Sequence, residues 1–302
     1  MTAGVLPIRT RRLRPMRDGA ILACLVLAIA HALGMLDTGV DAHAYWAADP
    51  FDPYGFTEPG KQDAYFYGPP FAQLLGPLHL LPWPWFIALW TLVLTAALVW
   101  QAGLWTGFAL LLVPVFMDLT VGNIHLLLGV AIVAGFRWPW LWALPLLTKV
   151  APGVGLLWFL LRREWRNLAI ALGATAAISA ASFVVAPAAW FDWLRVLGSA
   201  ATAPDPAVFI DIPFWPRAIA AGVLVSWGAL TDRRWTVPVA SMLALPILWI
   251  NGLAMLVAVI PLVPRLVGES PASRWLARGT DAAPGPERAT TAPAEPSTPS
   301  PA

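Results

Sequence analysis

PPFAQLLGPLHLLPWPWFIALWTLVLTAALVWQAGLWTGFALLLVPVFM, residues 69 to 117, runs for 49 residues without a formal charge. About 20 apolar residues cross the roughly 30 Å of hydrocarbon in a bilayer, so this stretch holds more than one crossing. The composition agrees: 59% of the 302 residues are hydrophobic, 12% are charged, and mean hydropathy is +0.68. A soluble domain of this size is about 25% charged. The expected fold is all-α, a polytopic transmembrane helical bundle of about seven to nine membrane helices, some short or re-entrant.

Upstream of the uncharged stretch, Arg9, Arg11, Arg12, Arg14 and Arg17 precede an apolar run from Gly19 to Leu36. Basic residues stay on the cytoplasmic side, so residues 1–18 form a cytoplasmic basic N-terminus and the first span exits outward. A signal peptide cleaved near Ala30-His31-Ala32 is the alternative, and it too leaves Asp41 outside. Within the uncharged stretch, Pro70–Leu81 reads as an interfacial helix, Trp85–Gln101 as a span inward and Leu104–Met117 as a span outward. Asp118 to His125 is a polar break, and Ile124–Phe136 returns to Arg137. Trp138–Leu161 has Lys149 at its middle, prolines on both sides of the lysine and arginines at both ends. That pattern favours two short helices that enter and return. A single crossing is the alternative and would flip every later span.

Asn167–Pro187 then crosses outward, residues 188–213 form a second outer loop, and Phe214–Leu230 returns to Arg233 and Arg234. Trp235–Pro264 reads as a hairpin of two short helices broken at Asn251-Gly252. The membrane domain is thus 19–264. Residues 265–302, rich in Pro, Ala, Thr and Ser, form a disordered tail. Many of the 18 tryptophans lie at span ends, as an interfacial belt requires.

The outer loop 37–70 is the long polar segment of this frame. It holds all four tyrosines, six of the seventeen acids and one of two lysines. Asp41, just outside the first span, can accept a proton from a hydroxyl, and the low dielectric nearby strengthens its field. Asp37 and Asp63 are the reserve candidates. Tyr45, Tyr65 and Tyr67, with His43, offer aromatic faces and hydroxyls that suit a sugar; anchoring at the interface is the competing use of the same rings. Lys149 is the sharpest single signal. An ammonium in the middle of an apolar stretch costs about 2.5–3.5 kcal/mol on the insertion scale, and such a group faces a cavity and an anion. A lipid-borne phosphate is a natural partner, and Arg195 is a second cation for it. Asn123 and His125 form a polar pocket candidate beside Gly122. His and Cys ligands are not clustered, so no metal is expected. Walker-type phosphate loops and nucleophile elbows are missing. A net charge of +2 gives no case for nucleic acid.

The order of these features carries a resemblance. Asp41-x-x-x-Tyr45 follows the first span, then Phe66-Tyr67-Gly68-Pro69-Pro70, Phe71-Ala-Gln-Leu-Leu-Gly-Pro77-Leu, Leu81-Pro82 and Trp90. Gly122-Asn123-Ile-His125 and Lys149-Val-Ala-Pro152 come next, then Arg162-Arg163-Glu-Trp165-Arg166. Over roughly residues 18 to 200 this resembles glycosyltransferase family 87, bacterial enzymes of the GT-C fold, and the chain reads as a short member. The resemblance implies a plasma-membrane enzyme with an extracytoplasmic site. It implies a polyprenyl-phosphate sugar donor, typically carrying mannose, a glycolipid or cell-envelope glycan as acceptor, an inverting mechanism, and no cofactor. It implies Asp41 as base, and it matches Lys149 with Pro152, and Gly122 with Asn123 and His125, to the family's motifs; the residues themselves put Lys149 and Arg195 on the donor phosphate and His43, Tyr45, Tyr65, Tyr67, Asn123 and His125 on the sugars. Gly68 is an insertion in the Tyr-Pro-Pro turn, and the Asn123/His125 turn departs from the family's in both polar residues. The other readings are a non-catalytic scaffold and a lipid or sugar transporter.

Overall fold

A computed structural model of the chain describes residues 8–55, 63–202, 212–263, 266 and 270–280. It is a helical bundle: α1 (Ile8–Ala32), α2 (Val40–Ala47), α3 (Pro69–Leu75), α4 (Trp83–Ala102), α5 (Thr106–Leu111), α6 (Val113–Val121) and α7 (His125–Gly135) come first. They are followed by α8 (Ala143–Thr148), α9 (Leu157–Leu161), α10 (Trp165–Val185), α11 (Pro187–Thr202), α12 (Phe214–Leu230), α13 (Thr236–Leu243) and α14 (Pro271–Thr280). Tighter 3-10 segments fill in at Gly76–Leu80, Gly103–Trp105, Pro139–Trp142, Ala151–Leu156 and Ile250–Leu262. Among the described residues, two helical stretches are long and apolar enough to cross a membrane, Trp83–Leu111 and Trp165–Val185. The bent pair α6 and α7, meeting at 108°, makes a third if it counts as one span. The remaining apolar helices are shorter because proline and glycine cut them. Only 11% of Trp165–Val185 is buried against 61% of Trp83–Leu111, so α10 is exposed along its length and α4 packs within the protein.

The bundle sorts its ends. Arg137 donates to the carbonyl of Trp275 at 2.9 Å, and the Trp275 ring lies 6.0 Å from Trp100. Arg162 reaches the carbonyl of Ala229 at 3.2 Å and the carboxylate of Asp232 at 3.0 Å. Arg234 lies 5.4 Å from the ring of Phe136, which in turn packs 5.5 Å from Trp158. The close of α4, α7, α9 and α12 and the start of α14 therefore meet at one basic end. At the other end, His31 joins Thr91 and Thr38 at 3.1 and 2.7 Å, and Gln73 reaches the carbonyl of Ser182 at 3.4 Å.

The segment around Lys149 enters and returns. Its first half is Pro139–Trp142 plus α8, its second Ala151–Leu156 plus α9. Trp142 and Phe159, from opposite halves, lie 6.3 Å apart, and Arg137 and Arg162 sit at the same end of the bundle. The single-crossing alternative is thereby excluded.

Three expectations change. Much of the second outer loop is helix α11, whose Trp193 packs its indole against the carbonyl of Phe66 at 3.3 Å. Residues 271–280 of the expected disordered tail are α14, with Ala272 buried and Trp275 clasped by Arg137 and Trp138; residues 281–302 lie outside the described residues. An amphipathic helix with Arg137 and Trp138 ready to receive it buries enough surface to order. The last hairpin reverses over residues 244–249, not at Asn251-Gly252, which begins the return. The reversal is held by Arg217, 5% exposed. Its guanidinium donates to the carbonyls of Leu243 (2.9 Å), Leu245 (2.7 Å) and Pro246 (3.0 Å), and to Ile212 (2.9 Å).

Replacing Arg217 by Met strands three carbonyls inside the bundle. Unfolding in nanodiscs should register a loss of at least about 3 kcal/mol, partly restored by Arg217→Lys.

Candidate active site

α1 ends at Ala32, and the connector to α2 passes through Gly39 at φ +93, where a Cβ would lie 2.6 Å from Ile87. Only glycine lets α2 start so close to α4. The first turn of α2 holds Asp41. Its Oδ2 accepts a hydrogen bond from Asn123 Nδ2 at 2.7 Å, across 82 residues of chain. Asn123 is aimed by its surroundings. Its Oδ1 accepts the amide of Ile124 at 2.7 Å, and its own amide donates to the carbonyl of Asp118 at 3.0 Å. Gly122 takes φ +74 and approaches Ala42 so closely that a Cβ would stand 2.5 Å from it. The Gly122 carbonyl accepts the indole N–H of Trp90 at 2.7 Å.

The break between α6 and α7 is stapled by Asp118, fully buried. One carboxylate oxygen lies 2.9 Å from His125 Nδ1 and the other accepts the amide of Leu126 at 3.2 Å. A side chain at the end of one helix thus caps the start of the next. His125 is 2% exposed and turned to this task, so it presents no free edge to a sugar in this conformation.

On the other side of Asp41 the outer loop folds into a knot of rings. Tyr45 and Tyr67 share a hydrogen bond of 2.8 Å between hydroxyls, and Tyr54 donates to the carbonyl of Tyr67 at 2.5 Å. Tyr45 and Tyr65 are each 1% exposed, packed with Tyr67 and Phe71 at ring separations of 5.0 to 5.6 Å. Burial pushes all four phenols upward, so they stay protonated. The expectation that Tyr45, Tyr65 and Tyr67 offer open faces to a sugar gives way: all three are buried and form one floor.

Lys149 arrives at this floor. Its ammonium stands 5.0 Å from the centre of the Tyr67 ring. Lys149 opens a tight three-residue turn: the Ala151 amide meets the Lys149 carbonyl at 2.5 Å, and Val150 takes φ +50 and ψ −61. A β-branched residue there is strained, by about 1–3 kcal/mol. What holds the turn in place is backbone pairing with the outer loop, the Gly68 amide donating to the carbonyl of Leu147 at 3.1 Å. A Cβ on Gly68 would stand 2.3 Å from that oxygen. The insertion in the Tyr-Pro-Pro turn is therefore the residue that lets the loop touch the lysine's turn.

Asp41 is half-buried. Burial raises its pKa above the ordinary carboxylate range, while the Asn123 hydrogen bond and the Lys149 charge pull it back down. The structure thus brings Asp41, Asn123, Tyr67 and Lys149 together, with Tyr45, Tyr65 and His125 behind them. His43 lies on the far face of α2, paired with Asp63. Arg195 is not drawn in: it is exposed on α11 and paired with Asp192. Glu58 and Lys61 lie outside the described residues, as do Asp205 and Asp211. Among the described residues no group of three His, Cys, Asp or Glu could hold a metal ion.

The model of glycosyltransferase family 87 matches residues 65–280, from the tyrosine knot through α14. The chain belongs to glycosyltransferase family 87. It is a membrane glycosyltransferase, with a sugar donor and an acceptor as its substrates. No curated protein and no solved structure matches it. The family match covers Tyr67, Asp118, Asn123 and Lys149; Asp41 precedes it and is tied to it through Asn123. Sequence reading passed over Asp118 and Arg217. The argument that singled out Lys149, a charge within apolar sequence, applies equally to both.

Gly68→Ala should cut transferase activity and lower stability by about 1–3 kcal/mol. Gly173→Ala, whose Cβ meets nothing within 4 Å, should leave both as they are. Activity in membranes and thermal unfolding in nanodiscs are the measurements.

Proposed function

We propose that this family 87 enzyme transfers a hexose, mannose in the first instance, from a polyprenyl-phosphate donor to a hydroxyl of a glycolipid or cell-envelope glycan. The reaction takes place on the extracytoplasmic face of the plasma membrane, with Asp41 as general base and inversion at the anomeric carbon. The observation that carries this reading is a half-buried, hydrogen-bonded carboxylate, Asp41, that feels the charge of an ammonium, Lys149, seated on the neighbouring Tyr67 ring.

The chemistry needs both. A sugar hydroxyl is a poor nucleophile until a base takes its proton, and a carboxylate with a raised pKa is a stronger base than one in water. The Asn123 amide holds one oxygen of Asp41, leaving the other for the substrate. The departing lipid phosphate gathers negative charge as the glycosidic bond breaks, and Lys149 supplies a fixed cation for it. Attack on the face opposite the phosphate inverts the anomeric centre. Charge supports this sidedness: Arg137, Arg162, Arg163, Arg166, Arg233 and Arg234 cluster at the end away from Asp41, and basic ends tend to stay cytoplasmic. A lipid-borne donor also suits the lipid-facing flank of α10. A scaffold would have no use for a half-buried carboxylate aimed by a buried amide.

Radiolabelled polyprenyl-phosphate-mannose, supplied to membranes carrying wild type or variants at equal level, tests the reading. Asp41→Asn should slow transfer by about 10²- to 10⁴-fold, and Lys149→Met by about 10²- to 10³-fold. Equal transfer by Asp41→Asn would remove Asp41 from the reaction.

The pH profile is a second check. Activity should fall as pH drops through the raised pKa of Asp41, so the acid limb lies above that of an ordinary aspartate. Asn123→Ala removes a bond to the charged form and should move that limb to still higher pH. An acid limb unmoved by Asn123→Ala would argue against Asp41 as the titrating group.

A further inference from the structure

Among the described residues four that are not glycine take a positive φ. Two of them, Arg163 at +58 and Asp232 at +56, lie at the basic end of the bundle, in turns joined by one ion pair. Each follows the last turn of a helix. After α9 the Arg163 amide donates to the Leu160 carbonyl at 3.1 Å, and the Glu164 amide to that of Phe159 at 2.8 Å. After α12 the Arg233 amide donates to the Gly228 carbonyl at 2.8 Å. This left-handed closure ties off a helix, and glycine is its usual residue because a Cβ is unfavourable there. Both positions instead carry a charged side chain on a strained backbone.

For Asp232 the fold supplies the reason. Its carboxylate takes the Arg162 guanidinium at 3.0 Å, which joins the turn after α9 to the turn after α12. For Arg163 the fold supplies none. No carboxylate among the described residues pairs with it, or with Arg166, Arg233 or Arg234. The acids of these two turns are already engaged: Glu164 accepts from Arg162 at 3.1 Å and from Asn167 at 2.8 Å, and Asp232 is held by Arg162. Arg163 and Arg166 are exposed and line a shallow recess with Glu164, Trp165 and Asn167. Arg233 lies over Trp227, 5.1 Å from the ring centre.

The surroundings of these guanidinium groups are apolar. Trp165 is 58% exposed and Leu230 77%. From Trp165 an exposed strip runs along α10 through Ala169, Leu172 and Ala176, which share one face of the helix. The complement of such a surface is a phosphate-sized anion carrying a long apolar tail. A soluble phosphate would match the arginines and leave the strip unused. Sorting of basic residues to one side of a membrane needs charge near the end of a span, but not at a position where glycine would relieve strain.

We propose that this end of the bundle is a docking site for an anionic phospholipid of the surrounding leaflet. Arg163 and Arg166 hold its phosphodiester, an acyl chain lies along the strip from Trp165 to Ala176, and Arg233 adds charge from the neighbouring turn. The site stands at the opposite end of the bundle from Asp41 and does not depend on the sugar chemistry.

The test uses the full chain and two lipids, phosphatidylglycerol and phosphatidylcholine. Native mass spectrometry of the detergent-solubilised protein, titrated with each lipid, gives two apparent Kd values. Thermal unfolding is followed in nanodiscs of phosphatidylcholine alone and of an equal mixture of the two. The wild type should prefer phosphatidylglycerol and melt higher in the mixed discs. An arginine at an anionic headgroup is worth about fivefold in affinity, so Arg163→Gly and Arg166→Gln should each lower the preference by about that factor. Arg195→Gln removes the same charge at the other end and should keep the preference. Freed of strain, Arg163→Gly should melt at or above wild type in phosphatidylcholine alone, yet gain little from phosphatidylglycerol. Equal affinity of the wild type for the two lipids overturns the proposal, as does an unchanged preference in Arg163→Gly or Arg166→Gln. An Arg163→Gly protein that melts below wild type in phosphatidylcholine, or fails to fold, overturns it too, because Arg163 then serves the fold itself. So does a loss of preference in Arg195→Gln equal to that in Arg166→Gln, which leaves only the protein's net charge at work.

Discussion

A helix that breaks inside a bilayer exposes amides and carbonyls that no water can satisfy, and each must find a partner within the protein. This chain breaks its helices repeatedly, and specific partners answer several of the breaks. Asp118 caps the start of α7 across the 108° bend from α6. Arg217 gathers three carbonyls where α13 turns back, and the Gly68 amide takes the Leu147 carbonyl ahead of the Lys149 turn. Ser241 does the same for Pro152 at 3.0 Å. The rest of the architecture follows from where these breaks are affordable.

The same breaks make the site. A continuous helix would carry Asn123 and Lys149 on side chains pointing wherever the helical period sent them. The α6–α7 bend instead delivers an amide to Asp41, and the turn at Val150 delivers an ammonium to Tyr67. Three glycines permit the close approaches: Gly39 against Ile87, Gly68 against Leu147, and Gly122 against Ala42. The tyrosines, expected as a surface for substrate, are the packing that joins these pieces. On the proposed mechanism a few polar groups carry the function, and aromatic volume holds them still.

Much of the fold was legible because a bilayer imposes a coarse rule. Charge-free runs of the right length must be helical, and arginines sort to one side, so the in-and-return path through Lys149 could be read from its flanks. The docking of α14 could not, since it depends on Arg137 and Trp138, more than 130 residues away. Nor could the helical character of residues 187–202, which need α3 and α10 to lie against. Asp41 and Lys149 stood out as polar residues in revealing places. Arg195 stood out for the same reason, yet the fold leaves it on the surface beside Asp192.

The sequence by itself determined that this is a helical membrane protein with family 87 features. Hydropathy, charge asymmetry and motif order are properties of the chain read in one dimension. Tertiary structure alone decided which polar residues meet. The Asp41–Asn123 bond spans 82 residues, and the His43–Asp63 pair closes around two tryptophans from different elements. Such contacts depend on close approaches of helices within a few ångströms, set by glycines and by the need to pair every broken backbone group. A linear pattern does not encode that geometry, because spacing along the chain specifies the face of a helix and not the neighbour it will meet.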